Sequence, residues 1–302
     1  MNTPTKLGVF GLGLVAVFGA ALGAGELTGP MGTGTAPAHE AHAGMGHDAM
    51  AAMGSQPGGL LVTDRGYTLA KAPAAAGEFA FRIDGPDGRP VTAFDTEHDK
   101  RMHLIVVRRD LSGFQHVHPR MAADGTWRIS SPMSEPGAYR AFADFKPTGA
   151  EPLTLGVDAT VTGEATAHPL PAPAGATTVD GYTVSLGGRL VGGRTSDLVL
   201  TISRGGRPVT DLQPYLAAYG HLVALREGDL AYLHVHPDGT PGDGSTKPGP
   251  AITFHAEVPS AGTYRLYLNF QHDGKVHTAE FTAVASGTTG GTTGGAPGGH
   301  EH

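Results

Sequence analysis

The sequence contains no cysteine. This absence excludes disulfides, thiolate metal sites and cysteine nucleophiles. Charged residues are also scarce, at 16% of the 302 residues against a usual value of about 25%. The net charge of −7 argues against nucleic-acid binding, because phosphate contacts need a basic surface. The 47 glycines and 23 prolines argue against a largely helical protein, since these residues are the poorest helix formers.

The first residues have the pattern of an export signal. Residues 7–24 are uncharged and mostly apolar, and they follow the single positive charge of Lys6. This length is just enough for a transmembrane helix. We therefore expect residues 1–24 to be a signal peptide or a signal anchor. The rest of the protein would be extracytoplasmic, either secreted or membrane-anchored by residues 7–24.

Residues 25–58 are poor in large apolar side chains and predict a disordered tether. Thioethers favour Cu(I), whereas imidazoles accept Cu(II), zinc or nickel. The tether therefore favours loose copper binding, although a low-complexity linker with incidental histidines is the alternative. Its candidate ligands are His39, His42, Met45, His47, Met50 and Met53. The Gly/Thr-rich tail at 286–302 ends in two more histidines and is either a second metal-binding tip or a polar terminus.

The middle of the chain is an internal duplication. Residues 88–119 align with residues 206–237 at a constant offset of 118, without a gap. We expect one domain at residues 59–163 and a second at 177–285, with a linker at 164–176. Each copy consists of short β-prone runs separated by turn residues, which predicts an all-β fold of two tandem immunoglobulin-like or cupredoxin-like β-sandwiches. A short helix is possible near Leu212–Tyr219.

Three histidines recur at matching positions in both copies. A two-residue turn at Gly228-Asp229 would place His221 opposite His236, and the same register would place His103 opposite His118. Residues i and i+2 of a strand share a face, and cross-strand Cβ atoms lie about 4.5–5.5 Å apart. Each copy would then offer a three-histidine face for one ion. The candidates are His103, His116 and His118 in the first copy and His221, His234 and His236 in the second, with His255, His272 and His277 as extra candidates in the second copy.

The alternative to a metal site is that these histidines form a structural hydrogen-bond network or are simply exposed to solvent. Other residues have structural interpretations as well. Tyr139 and Tyr264 are typical of core or corner tyrosines, and Arg108 and Arg226 of residues that close a hairpin electrostatically. The polar loop 97–99 is expected to be solvated.

The paired H-L-x-x-x-R and [FY]-x-H-x-H-P segments resemble those of exported β-sandwich proteins from high-GC bacteria. That family is described as secreted or heavy-metal-binding-domain proteins, and the resemblance covers about residues 60–285. It implies extracytoplasmic metal handling, with copper as the metal.

The preferred function is therefore an extracytoplasmic buffer or carrier of copper, with zinc as the alternative ion. The metal ion is the expected partner, together with the membrane if residues 7–24 are retained. A non-catalytic surface interaction module with structural histidines is the second hypothesis. A mononuclear metal enzyme is the third, because Gly228-x5-His234-x-His236 resembles the first cupin motif. The glutamate of that motif is missing, which favours a protein that is not an enzyme.

Overall fold

The computed structural model describes residues 56–233 and 235–287. These residues form an all-β protein with two repeated domains, as expected. Among them the structure contains no helix that is long and apolar enough to cross a membrane. The hydrophobic segment 7–24, the tether up to residue 55 and the tail beyond residue 287 lie outside the described residues.

The first repeat is built from nine strands. They are β1 (Thr63–Asp64), β2 (Tyr67–Lys71), β3 (Glu78–Asp84), β4 (His103–Arg108), β5 (Gln115–Val117), β6 (Arg120–Met121), β7 (Trp127–Ser130), β8 (Gly137–Phe145) and β9 (Leu153–Val161).

The second repeat is built from ten strands. They are β10 (Ala176–Val179), β11 (Tyr182–Gly188), β12 (Arg194–Arg204), β13 (Arg207–Pro208), β14 (His221–Arg226), β15 (Tyr232–Leu233), β16 (Val235–Pro237), β17 (Ala251–Val258), β18 (Gly262–His272) and β19 (Lys275–Ala285).

Each repeat is a sandwich of two antiparallel sheets. In the first repeat, the sheet β1-β2-β3-β7-β6 faces the sheet β5-β4-β8-β9. In the second repeat, the sheet β10-β11-β12-β17-β16 carries β13 on β12 and faces the sheet β15-β14-β18-β19. The two four-stranded sheets occupy equivalent places in the two copies, and we call them the inner sheets and the other two the outer sheets.

Two local predictions were wrong. Residues 212–219 form a turn rather than a short helix, with Tyr215 bridged to Ala218. The chain also does not reverse through a two-residue turn at Gly228-Asp229. It reverses over residues 227–230, and the amide of Leu230 donates to the carbonyl of Arg226. The register is unaffected, because the amide of Arg226 still donates to the carbonyl of Ala231.

The inner sheets pack against each other, so both of their faces are buried. In β4, Leu104 and Val106 lie in the core of the first repeat, whereas Ile105 and Val107 belong to a separate cluster shared by the two repeats. The second repeat contributes Val223 of β14 among others to that shared cluster. Alternation along a strand explains the split, since successive side chains point to opposite faces of a sheet. We call the shared cluster the repeat interface.

Aromatic rings from equivalent positions cross the repeat interface in both directions. Phe114 of the first repeat stacks on Tyr267 of the second, with centroids 4.0 Å apart. Tyr232 is the equivalent of Phe114 and contacts Phe142, which is the equivalent of Tyr267, at 5.8 Å. The Tyr267 hydroxyl also donates to the carbonyl of Leu111 at 2.6 Å. The duplicated sequence therefore packs on itself through the same face of both copies, as in an isologous dimer.

Corner and hairpin contacts agree with the sequence interpretation. The hydroxyls of Tyr139 and Tyr264 each donate to a carbonyl four residues earlier, both at 2.8 Å. The guanidinium of Arg108 lies 3.5 Å from Asp110, and that of Arg226 lies 3.0 Å from Asp229. These residues fix the hairpins that carry the histidines.

Candidate metal centre

The hairpin of the first repeat brings three of its histidines together. Strand β5 pairs with β4 so that His116 lies opposite Ile105 and Val117 opposite Leu104. This is the register predicted from the sequence, and it carries His118 to the level of His103. All three imidazoles lie on the face of the sheet that Ile105 shares, which is the face turned toward the second repeat. The hairpin thus places the histidines at the edge of the repeat interface.

The three imidazoles are within ligand distance of a common point. Nδ1 of His103 lies 3.0 Å from Nε2 of His116 and 3.2 Å from Nε2 of His118. One potential ligand atom from each of the three residues lies within 4.8 Å of the other two. We call these three residues the triad. His103 is buried and the other two are partly buried.

The outer hydrogen bonds of the triad decide where the protons are. Nε2 of His103 is 3.0 Å from the carbonyl oxygen of Glu97 and must donate to it, so Nδ1 of His103 carries a lone pair. The amide nitrogen of Asn269 donates to Thr278 at 2.8 Å, which leaves the Asn269 oxygen to accept from Nδ1 of His116 at 3.0 Å. Nε2 of His116 therefore carries a lone pair too. Two lone pairs face each other at 3.0 Å, and neutral imidazoles in these tautomers cannot hydrogen-bond there.

Burial keeps these rings neutral. Desolvation lowers the pKa of His103 and lowers the pKa of His116 well below its ordinary value, with the neighbouring imidazoles adding repulsion. The pKa of His118 falls to about 4 for the same reason, burial first and the charge of His103 second. At neutral pH the triad is uncharged, which is the protonation state that binds a metal ion.

The spacing of the triad fits a single ion. Two nitrogens at about 2.0–2.1 Å from a tetrahedral ion lie about 3.3 Å apart, and their ring centroids about 5 Å apart. The three centroid distances of the triad are 5.3, 5.0 and 5.1 Å. Each of two ligands also donates its far nitrogen to a fixed acceptor, as metal-bound histidines commonly do. The triad therefore could hold a metal ion after shifts of a few tenths of an ångström.

Two further histidines lie near the triad, His221 of the second repeat and His98 of the first. The ring of His221 lies 6.4 Å from that of His103 and 6.2 Å from that of His116. His98, expected to be a solvated loop residue, has its ring 5.0 Å from the His221 ring. His103 and His221 therefore lie side by side at the repeat interface. The sequence had assigned them to two separate sites, one in each repeat.

The remaining predicted ligands of the second repeat lie elsewhere. His236 is on β16, opposite His255 of β17, in the outer sheet rather than on the hairpin with His221. Nδ1 of His255 is 2.7 Å from a carboxylate oxygen of Asp197. The register of β14 with β15 is the predicted one, but the described residues of β16 pair with β17, so that His236 lies opposite His255.

Two further histidines of the second repeat are bound to carboxylates near the β18–β19 turn. His272 lies between the Tyr182 hydroxyl at 2.7 Å and Asp211 at 3.0 Å. His277 is 2.7 Å from Asp180. These contacts give both residues structural partners away from the triad. The remaining candidates lie outside the described residues and are His234, His39, His42, Met45, His47, Met50 and Met53.

The sequence held one unused signal for this arrangement. The runs LIVV at 104–107 and LVAL at 222–225 are continuously apolar instead of alternating. A continuous apolar run is typical of a strand that is buried on both faces. Together with the histidine positions, it indicated that the histidine face is covered by another layer. Asn269 carries no such signal, because only the packed interface brings it to His116.

A family model matches both copies, at residues 63–163 and 177–287. The chain belongs to the family described as Domain of unknown function (DUF8832). The resemblance to heavy-metal-binding proteins stays a prediction. No curated protein matches the chain.

Among solved structures, the chain is similar to two fibronectin type III domains of chicken tenascin, with 11% identity over 77% of this chain and 99% of that one, at a TM-score of 0.21. It is also similar to the fibronectin domains FN1–FN3 of chicken CNTN1, with 9% identity, 76% and 69% coverage and a TM-score of 0.21. The adhesin InvE of Yersinia pseudotuberculosis gives 14% identity, 72% and 58% coverage and a TM-score of 0.21. The chain thus spans 58% of the adhesin's length.

Proposed function

We propose that the protein binds one metal ion at the triad and acts outside the cytoplasm as a metal buffer or carrier, with no catalytic role. The observation that carries the proposal is the 3.0 Å distance between Nδ1 of His103 and Nε2 of His116, two nitrogens to which the outer hydrogen bonds assign lone pairs. A cation between them turns a repulsive contact into two bonds. The convergence of His118 on the same point supports this assignment.

Copper is the proposed ion, and zinc is the alternative. Three neutral imidazoles without thiolate or carboxylate suit copper and zinc. The histidines and methionines at 39–53 of the sequence favour copper, because thioethers select Cu(I). In this proposal the segment captures ions loosely and the triad retains them.

The test is a titration of the full-length chain with Cu(I), Cu(II) and Zn(II) separately. The background is a variant in which His39, His42 and His47 become serine and Met45, Met50 and Met53 become leucine. In this background we expect one tight equivalent, and the further triple change of the triad to alanine should abolish it. His168→Ala removes an exposed linker imidazole and is the matched control.

Two outcomes would contradict the proposal. Unchanged affinity and stoichiometry in the triad variant would remove the site from these residues. A triad variant that loses its fold, while the unaltered protein takes up no metal, would favour the surface interaction module with structural histidines. Circular dichroism on each variant separates the two. His118→Gln is the milder variant, because His118 is only partly buried.

A further inference from the structure

We infer that the second repeat completes the metal site, with His221 as the fourth ligand through Nδ1, so that a single ion joins the two repeats. This inference rests on the proposed function. It differs from the sequence expectation of one independent site per copy. It is carried by the position of His221, by its hydrogen bonding and by the role of Asn269.

His221 occupies the place in β14 that His103 occupies in β4. Both residues begin their strands, and both lie on the face that forms the repeat interface, in line with Ile105 and Val223. The two rings are close to parallel, at an interplanar angle of 26°. The packing of like face on like face therefore places two equivalent histidines beside each other.

The hydrogen bonding of His221 leaves one nitrogen free for an ion. Nε2 of His221 is 2.7 Å from the carbonyl oxygen of Leu216 and donates to it. The lone pair is consequently on Nδ1, for which the structure shows no hydrogen-bond partner among residues 56–233 and 235–287. Burial lowers the pKa of His221 to about 4, so it is a neutral ligand like the triad.

The carbonyl that orients His221 comes from a turn held in an unusual conformation. Leu216 and Ala217 both have positive φ values, 55° and 61°, which non-glycine residues rarely adopt. The equivalent turn of the first repeat has positive φ at His98 and Asp99, and its Glu97 carbonyl orients His103. Strain of this kind is retained where the fold enforces it and is frequent at functional sites. Both copies thus use a left-handed turn to fix the same histidine.

A three-histidine site leaves a position for a fourth donor, and the His221 ring lies beside the triad. Its centroid distances to His103 and His116 exceed the 5.0–5.3 Å of the triad by about 1 Å. A small movement of the ring closes this gap. The result is a four-imidazole shell, which is the coordination number of a closed zinc or Cu(II) site.

The second repeat also controls a triad ligand directly. Asn269 lies opposite His221 in the β14–β18 ladder, and its side-chain oxygen accepts from Nδ1 of His116. Asn269 is therefore a positioning residue, because it fixes which nitrogen of His116 faces the ion. Loss of such an outer partner typically weakens metal binding about 10–100-fold.

The test uses Co(II) as the probe in the full chain with the silenced residues 39–53 described above. We expect one equivalent and a visible spectrum that azide does not change, since the shell is closed. His221→Ala should weaken binding at least tenfold and open a position, so that azide shifts the spectrum and added imidazole restores it. Asn269→Leu should weaken binding without creating azide sensitivity. His168→Ala is the control and should behave like the parent.

The outcomes distinguish this inference from the proposed function. Co(II) binding that depends on the triad but is equally tight and azide-insensitive in His221→Ala would overturn the shared site and keep the triad. Two tight equivalents per chain would overturn it as well. Absence of Co(II), copper and zinc binding in the parent would overturn the proposed function itself. Circular dichroism of His221→Ala, and of His221→Gln as the milder variant, shows that each retains its fold.

Discussion

The two copies of the H-V-H-P segment have the same sequence but pair with different strands. In the first repeat, His116 and His118 stay with the inner sheet and join His103. In the second repeat, the chain leaves the inner sheet after Leu233, and His236 pairs with His255 in the outer sheet. Among the described residues, the last histidine of the motif thus joins His103 in the first copy and pairs with His255 in the second.

The difference comes from the strand that competes for the segment. Strand β7 ends at Ser130, before Pro132, whereas the equivalent β17 has Glu257 at that place and continues to Val258. Proline has no amide to donate, which favours an early end of β7, and β7 pairs with Arg120 and Met121 instead of the motif. In the second repeat the longer β17 captures Val235–Pro237. We therefore expect a residue outside the motif, Pro132 or its equivalent Glu257, to influence where the last histidine lies.

The largest expected effect concerns the interface that both repeats share. Phe114→Ala removes a buried ring that stacks on Tyr267 at 4.0 Å, and we expect it to lower the free energy of unfolding by about 3–5 kcal/mol. The equivalent change Tyr232→Ala should cost less, because Tyr232 is only partly buried and its ring contact with Phe142 is longer. Urea unfolding of both variants measures the comparison, with Tyr232→Phe as the ring-preserving control. Equal losses of unfolding free energy would mean that the two aromatic contacts across the repeat interface contribute alike.

The second largest expected effect tests whether Pro132 and its equivalent Glu257 account for the different pairing of the two segments. Glu257→Pro removes an amide from β17, which lies between β12 and β16, and we expect a loss of about 1–3 kcal/mol in the free energy of unfolding. The variant should also free residues 235–237 from β17, which hydrogen exchange of their amides would detect. Protection of these amides at the parent level would contradict the explanation. Pro132→Glu is the reverse change. It should let β7 compete for His118 and weaken metal binding.

The smallest effect, counted per histidine and per pH unit, is a pH dependence of the stability of the metal-free protein. His118 and His221 have pKa values of about 4 in the folded chain, and 6.5 is their ordinary value, so the unfolded chain binds more protons between these limits. Stability is therefore complete above about pH 6.5 and falls as the pH drops toward 4, by at most about 1.4 kcal/mol per pH unit for each histidine. Urea unfolding at pH 7 and pH 4.5 measures it. His118→Asn should flatten the slope, and an unchanged slope would remove His118 from the cause.

Much of the hairpin could be predicted from local sequence. The short β-prone runs separated by turn residues became strands in both repeats, because clear turn residues on both sides leave little freedom. The register that sets His103 opposite His118 also follows from local pairing, since a one-residue slip would turn every side chain to the other face. The pairing of His236 with His255 could not be predicted in this way, because it depends on a strand about twenty residues later in the chain.

The sequence by itself determined the β-rich repeats, the hairpins and the face on which the histidines lie. These features depend on the two-residue period of a strand, on turns and on proline, which act over a few residues. Only the tertiary structure decided that the two inner sheets bury their outer faces against each other, that His221 comes beside the triad and that Asn269 fixes His116. Asn269 follows His116 by 153 positions, and only the burial of apolar surface between the repeats brings such distant residues together.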